Sequence, residues 1–220
     1  MWERPILPAL ALLLVALGVV AWRVIRKHIA FPCPPQFIWL LENRAMERVA
    51  GGRLLLDRAG VEAGMEVLDA GCGPGRLTLP LAERVGARGR VTAFDVQGEM
   101  LARLRARLEA KGVTNVRTLQ GALGGGALPA DTYDRALLVT VMGEIPDRAK
   151  ALRELHDSLK PGGILSVTEV LPDPHFQSRR TVSRLAAEAG FTVVEAFGNW
   201  RAFTVNLTRT AAANDAGTAR

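Results

Sequence analysis

Two carboxylates and a run of alternating glycines carry the chemistry that this sequence offers. Asp69 stands in the apolar run Val67-Leu68-Asp69-Ala70, and Gly71, Gly73 and Gly75 follow at every second position before Leu77-Thr78. Glycine has no Cβ, so such a backbone turns tightly and lets a ligand approach closely. A helix starting after it presents free N–H groups in its first turn. Asp95 ends a second apolar run, Arg90-Val91-Thr92-Ala93-Phe94-Asp95, 20 residues beyond Gly75. An acid at the tip of a second strand can accept hydrogen bonds from ribose hydroxyls. The alternative for Asp95 is a turn or N-cap aspartate before the helix near Gly98. Together the features predict a nucleotide-like cofactor. A dinucleotide fingerprint needs glycine at the sixth position from Gly71. That position is Arg76, which argues against a nicotinamide or nucleotide-sugar enzyme.

The G-x-G-x-G run with Asp69 before it resembles motif I of the class I S-adenosylmethionine-dependent methyltransferases. The resemblance extends from about Leu54 to Arg209. It implies S-adenosylmethionine as cofactor, held by Asp69, Gly71, Gly73 and Gly75, with Asp95 on the ribose and Val96, Gly121, Ala122 and Val141 beside it. Leu159-Lys160-Pro161-Gly162-Gly163-Ile164-Leu165 resembles the family's turn before the fifth strand, where proline stops a helix and glycines permit the reversal. The sequence departs from the family at Gln120-Gly121-Ala122-Leu123. Ala122 stands where the resemblance implies an acid for the adenine amino group, which leaves backbone or another side chain for that role.

Methyl transfer is an in-line displacement that chiefly needs alignment; a base is required only when the nucleophile holds its proton tightly. In the family the loop after the fourth strand faces the methyl group. Glu144, in Val141-Met142-Gly143-Glu144-Ile145-Pro146, is therefore a candidate general base or orienting group; otherwise it is a helix-dipole acid before Asp147. His175, after the strand ending near Glu169, is the second catalytic candidate, since histidine as a type titrates near neutrality; the alternative is a surface loop histidine. His156 reads as a residue on a solvated helix face, and Asp57 and Asp131 as surface acids.

Composition narrows the partners. The 220-residue chain has a formal net charge of +6, and four basic residues and one acid fall in its first 27 positions. The body beyond them is too evenly charged, and too poor in aromatics, for a nucleic-acid surface. Cys33 and Cys72 are too few for a disulfide framework and, with His28, His156 and His175 scattered, no metal site is expected.

Pro5 to Trp22 is 18 residues without a charge. As a helix it would span roughly 27 Å, close to the ~30 Å hydrocarbon core of a bilayer. Trp2 and Trp22 bracket it and Arg23, Arg26 and Lys27 follow, which predicts a single-pass anchor with the catalytic domain on the cytoplasmic side. A cleaved signal peptide would have a shorter core and small residues at its cut site, and a buried core helix would be interrupted by polar residues. The division expected is an anchor and basic flank over 1–30, a linker or interfacial segment over 31–52, a catalytic domain over 53–210 and a disordered tail over 211–220. Phe37-Ile38-Trp39-Leu40-Leu41 lies in the second of these; it reads either as an interfacial roof over the site or as an ordinary first helix packed on the domain.

The rest alternates strand and helix. Strands are predicted over 66–70, 90–95, 115–119, 133–141, 164–170, 191–197 and 201–209, and helices over 53–59, 77–85, 98–111, 147–159 and 178–189. Met100, Leu101, Leu104 and Leu108 share one helical face, and the continuous apolar run Ala136–Val141 marks a central strand. The pattern predicts a doubly wound, mostly parallel sheet, seven-stranded by the resemblance, whose closing hairpin puts one antiparallel strand at an edge. The function expected is a membrane-anchored methyltransferase acting on a small or lipophilic acceptor, with membrane lipid as a partner of the N-terminal helix. The alternative is a cofactor-binding membrane scaffold without turnover, for which Ala122 is the argument.

Overall fold

The computed structural model describes residues 51–171 and 173–209. The expected anchor, the 31–50 segment and the tail lie outside the described residues. Among the described residues no helix is long and apolar enough to cross a membrane.

Seven strands and five helices alternate: α1 (Gly52–Arg58), β1 (Glu66–Ala70), α2 (Thr78–Val85), β2 (Arg90–Asp95), α3 (Gly98–Ala110), β3 (Val116–Gln120), β4 (Tyr133–Val139), α4 (Arg148–Ser158), β5 (Leu159–Val170), α5 (Arg179–Glu188), β6 (Phe191–Gly198) and β7 (Ala202–Arg209), with a 3₁₀ turn at Met142–Glu144. The strands form one sheet in the order β3-β2-β1-β4-β5-β7-β6. β1 to β5 are parallel neighbours, and β7 is antiparallel to both β5 and β6. This is the Rossmann-like methyltransferase architecture, with helices on both faces of the sheet.

The sequence expectation for the closing hairpin needs a correction. The antiparallel strand is second from the edge, and β6, parallel to β5, is the edge. The reason is topological. α5 carries the chain over the sheet as a parallel crossover, β6 is laid one place beyond β5, and the hairpin returns β7 into the gap. The Pro161-Gly162-Gly163 stretch also differs from a simple reversal. β5 already begins at Leu159, opposite Tyr133, and the pairing resumes at Ile164 opposite Arg135. The proline and glycines are thus extra residues in one strand, with Gly162 at φ 77°, a value that glycine adopts without penalty.

Helix ends follow local chemistry. The Asp147 side chain accepts from Lys150 N and the Ser178 side chain from Thr181 N, so both residues are N-caps one position outside helices α4 and α5. The expected stripe of α3 is buried in full: Met100, Leu101, Leu104 and Leu108. β4 is the centre of the sheet, with Ala136, Leu137, Leu138 and Val139 all buried. His156 is a correction in burial. Its ring packs edge-on against Phe191 at 5.2 Å, because α4 leans on the start of β6. Asp57 and Asp131 are exposed acids paired with Arg84 and Arg209.

Leu138, fully buried between the two neighbours of β4, measures the core. Leu138→Ala is expected to lower unfolding stability by about 2–5 kcal/mol, read as a shift of the urea midpoint at unchanged slope.

Candidate active site

The sheet geometry puts the carboxyl ends of β1, β2, β3 and β4 on one rim, where ligands of open α/β sheets bind. A cleft of about 360 Å³ opens there, and its lining includes Asp69, Gly71, Gly73, Asp95, Val96, Gly121, Ala122, Val141 and Glu144. Those nine sequence-derived site residues are brought together. Gly75 and His175 are outside the lining.

The glycine loop is built around backbone contacts. Gly71 N and Cys72 N both donate to Phe94 O at 2.8 and 3.0 Å, binding the loop to β2. Gly73 N donates to Asp95 Oδ2 at 2.8 Å, and Gln97 N donates to Asp95 Oδ1 at 2.8 Å. Gly71 and Gly73 have φ of 74° and 52°. A Cβ on Gly71 would lie 2.5 Å from Val141 Cγ2, so this glycine permits close approach of the β1 and β4 loops. Gly75, at φ 93°, is crowded by the Leu104 side chain of α3. Its absent side chain admits helix packing beneath the loop. Arg107 of α3 donates to Pro74 O at 2.9 Å, a second brace.

Asp69 is buried, and its Oδ2 accepts from Thr78 Oγ1 at 2.6 Å. Burial pushes its carboxyl up to about 6, against the Thr78 hydrogen bond and the charge of Arg76. Burial also raises Asp95, while the backbone N–H groups of Gln97, Gly73 and Val96 oppose it. A carboxylate oxygen has two acceptor sites, so Asp95 keeps capacity on both oxygens after its two loop bonds. Cys72 is buried in the loop, and burial next to Asp69 and Asp95 raises its thiol far above the range where it would ionise. It behaves as a small apolar residue.

The loops past β4 and β5 form the other wall. Thr140 closes β4 at φ 56°, a strained value for a β-branched residue, and its N–H donates to Thr168 O at 2.8 Å. Val141 then leads into the 3₁₀ turn, which sets the Glu144 side chain at the cleft. Arg148 holds that turn by donating to Met142 O and Gly143 O at 2.9 and 3.1 Å. His175 lies behind the turn, buried, with its main chain against the Cα of Gly143. Its N–H donates to Asp173 Oδ1 at 2.6 Å and its carbonyl accepts from Gln177 Nε2 at 2.8 Å. The structure therefore places His175 in the support of Glu144 rather than beside it in the cleft.

Three supporting residues escaped the sequence reading. Thr78 orients Asp69. Glu154 of α4 accepts from Gly124 N and from Leu128 N, which fixes the loop containing Ala122. Glu169 is 1% exposed and accepts from Gln177 N at 3.0 Å through Oε2, while Oε1 is buried without a hydrogen-bond partner among the described residues. Burial pushes Glu169 up to about 8; Asp173 and Glu144 add to the rise and Arg148 opposes it. Thr78 had a legible signal, as the first hydroxyl at the helix start. Glu154 had none, because its partners Gly124 and Leu128 lie 30 and 26 residues away; Glu169 was legible only as the end of the fifth strand.

The chain is similar to known methyltransferases in sequence and in fold. Residues 67–163 match the family described as a methyltransferase domain. The ubiquinone/menaquinone biosynthesis C-methyltransferase UbiE of Enterobacter sp. (strain 638) is 36% identical over 118 residues, 53% of this chain and 47% of that protein. The demethylmenaquinone methyltransferase of Geobacillus stearothermophilus is 32% identical over 110 residues, 50% of this chain and 47% of that one. The chain thus spans about half the length of the curated relatives it matches. Among solved structures, a SAM-dependent methyltransferase from Aquifex aeolicus superposes with a TM-score of 0.74 at 26% identity, over 81% of this chain and 100% of that one. The [4+2]-cyclase SpnF, with a TM-score of 0.63 and 23% identity over 70% of this chain and 61% of its own, shares the fold alone. Residues 67–163 are thus similar to a methyltransferase domain, and the fold is that of the S-adenosylmethionine-dependent methyltransferase from Aquifex aeolicus. The cofactor that this similarity implies is S-adenosylmethionine.

The residues present fit that cofactor. The glycine loop leaves a side-chain-free cradle, Asp95 has acceptor capacity for a diol, and the cleft volume lies in the range of small-molecule sites, roughly 300–1,000 Å³. Asp69, Asp95 and Glu144 outnumber Arg76 among the charged lining residues, which suits a cationic ligand. No carboxylate stands at Ala122, as the sequence indicated.

Two outcomes follow from the buried acids. A cation in the cleft favours ionised Asp69, so affinity for S-adenosylmethionine is expected to rise as pH increases through about 6. Calorimetric titration checks this, with the uncharged-sulfur product S-adenosylhomocysteine as a control of weaker pH dependence. For Glu169, the folded carboxyl is raised from 4.5 to about 8. The native state then holds a proton that the unfolded chain releases, and stability falls as pH rises through this window. Glu169→Gln should gain melting temperature relative to wild type progressively between those values and level off above them.

Proposed function

We propose that the protein transfers a methyl group from S-adenosylmethionine to a small lipophilic acceptor of quinone type, at a membrane to which residues 5–22 attach it. The observation that carries the reading is the single cleft in which Asp95 and the glycine loop face Glu144 across the carboxyl ends of β1, β2 and β4. The names of the relatives supply the acceptor class. The apolar lining residues Leu77, Phe94, Leu123, Val141 and Ile145 suit a ring system, and the uncharged run Pro5–Trp22 suits an acceptor dissolved in lipid.

When bound, S-adenosylmethionine supplies an electrophilic methyl group on a positively charged sulfur. This chain's residues do the rest. Gly71 and Gly73 leave room for the cofactor, Asp95 would accept from its ribose hydroxyls, and Asp69 lends negative charge to the cleft floor. Phe94 and Leu123 present apolar surface. Methylation of a ring carbon ends with loss of the ring proton, and Glu144, half-buried at the cleft, is the group placed to take it. Arg148 and the buried main chain of His175 fix the turn that carries Glu144.

The alternative, a cofactor-binding scaffold without turnover, draws on Ala122. It is separated from the enzyme reading by turnover itself. The full chain is incubated with methyl-labelled S-adenosylmethionine and a panel of demethylated quinols in detergent micelles. Labelled quinone is the expected result. Cofactor heat without any labelled product would support the scaffold, and absence of both would end the methyltransferase reading.

Two substitutions refine the test. Asp95→Asn removes charge-assisted hydrogen bonds worth roughly 1.5–3 kcal/mol each and should weaken cofactor binding at least about tenfold. Glu144→Gln should leave cofactor affinity intact and reduce kcat by about 10²-fold or more if it takes the proton, measured under saturating acceptor.

A further inference from the structure

The mouth of the cleft is not the only feature on the carboxyl-end rim of the sheet. β6 runs parallel to β5, so the hairpin Gly198-Asn199-Trp200-Arg201 that joins it to β7 turns on the same rim as the glycine loop. Leu171 N, just past β5, donates to Arg201 O at 2.6 Å, which fixes the hairpin to the end of β5. At its tip Trp200 is 67% exposed, with the Arg201 guanidinium stacked 4.7 Å from the ring centroid. Arg179 and Arg180 begin the neighbouring helix α5, and Arg179 donates to Gly198 O at 3.3 Å. On the other side of the cleft, past β2, Val96 is 49% exposed. Two exposed apolar side chains thus stand on this rim, and Trp200 is stacked by Arg201 with Arg179 and Arg180 at the start of the adjoining helix.

We infer that this rim is a membrane-contacting face: the Trp200–Arg201 hairpin, with Arg179 and Arg180, docks on an anionic lipid surface and turns the cleft toward the bilayer. The inference rests on the lipophilic-acceptor reading and adds to it a second point of contact, far in sequence from residues 5–22. Exposed tryptophan beside arginine is the composition of a lipid interface, where the indole sits at headgroup level and the guanidinium meets phosphate. The tip is a single short turn, too small for the ~800 Å² per partner of a specific protein interface. No acid stands among residues 198–201 or 178–180, so the charge is complementary to phosphatidylglycerol-type lipid. A lipid-dissolved acceptor would then enter the cleft without crossing water.

The test uses the full chain with Trp2, Trp22 and Trp39 replaced by Phe, which leaves Trp200 as the only tryptophan. Vesicles are phosphatidylcholine with or without phosphatidylglycerol, carrying brominated acyl chains. The expected result is a blue shift of Trp200 emission, protection from acrylamide, and quenching by bromine, all greater with the anionic lipid. Replacing Arg179, Arg180 and Arg201 by Gln should weaken that Trp200 insertion by about fivefold per charge. Unchanged Trp200 emission and acrylamide access with vesicle-bound chain would overturn the inference, as would failure to meet vesicles at all, equal insertion by the arginine-free variant, or a blue shift that depends on protein concentration without lipid, which would point to a second copy. Cofactor calorimetry on the same protein separates the two readings. Cofactor bound with Trp200 in water sinks only the docking face, whereas lipid-inserted Trp200 without cofactor binding sinks the methyltransferase function.

Discussion

Asp95 ties the end of β2 to the glycine loop, one oxygen accepting from Gly73 N and the other from Gln97 N. The glycines of the loop have no side chains with which to hold its shape. Its form is set chiefly by this carboxylate and by the carbonyl of Phe94, which takes the N–H groups of Gly71 and Cys72, with Arg107 bracing Pro74 O. A buried carboxylate is costly unless hydrogen-bonded, and the loop N–H groups are costly if left unpaired, so each satisfies the other. The arrangement is therefore set before any ligand arrives, and it leaves acceptor positions on both oxygens directed by a rigid strand end.

The sequence made most of the domain legible because its signals are local. Glycine spacing, an acid at a strand tip and the 3.6-residue stripe of α3 need no distant partner to be read. The strands β1 to β4 are found within a residue or two for the same reason, whereas β5 begins five residues earlier than expected, at Leu159. What was not legible depends on contacts between segments far apart. That β7 lies between β5 and β6 follows from where α5 delivers the chain. Glu169 reads as an ordinary strand-end acid until Gln177 and the walls around it are in place. His175 illustrates the converse: a histidine in a loop with two prolines and one acid suggests chemistry, yet the loop folds back and packs its main chain on Gly143.

The two walls of the cleft are built on different principles. The β1–β2 wall is backbone held by carboxylates, and its key positions lack side chains. The β4–β5 wall is side chains held by a backbone turn, braced by Arg148 and by the loop through Glu169, Asp173 and Gln177. The first wall suits a cofactor that is always the same. The second presents side chains, whose identity can differ between proteins on the same sheet.

The insertion of β7 between β5 and β6 has a consequence for biogenesis. β7 is synthesised after both strands it lies between, so a nascent chain that has emerged only as far as β6 carries two open strand edges facing an empty slot. Val193 and Val194 belong to one of them. Such edges are templates for mispairing with other chains. Completion of the sheet waits on a single late segment, and chaperone demand during translation should be concentrated in that interval.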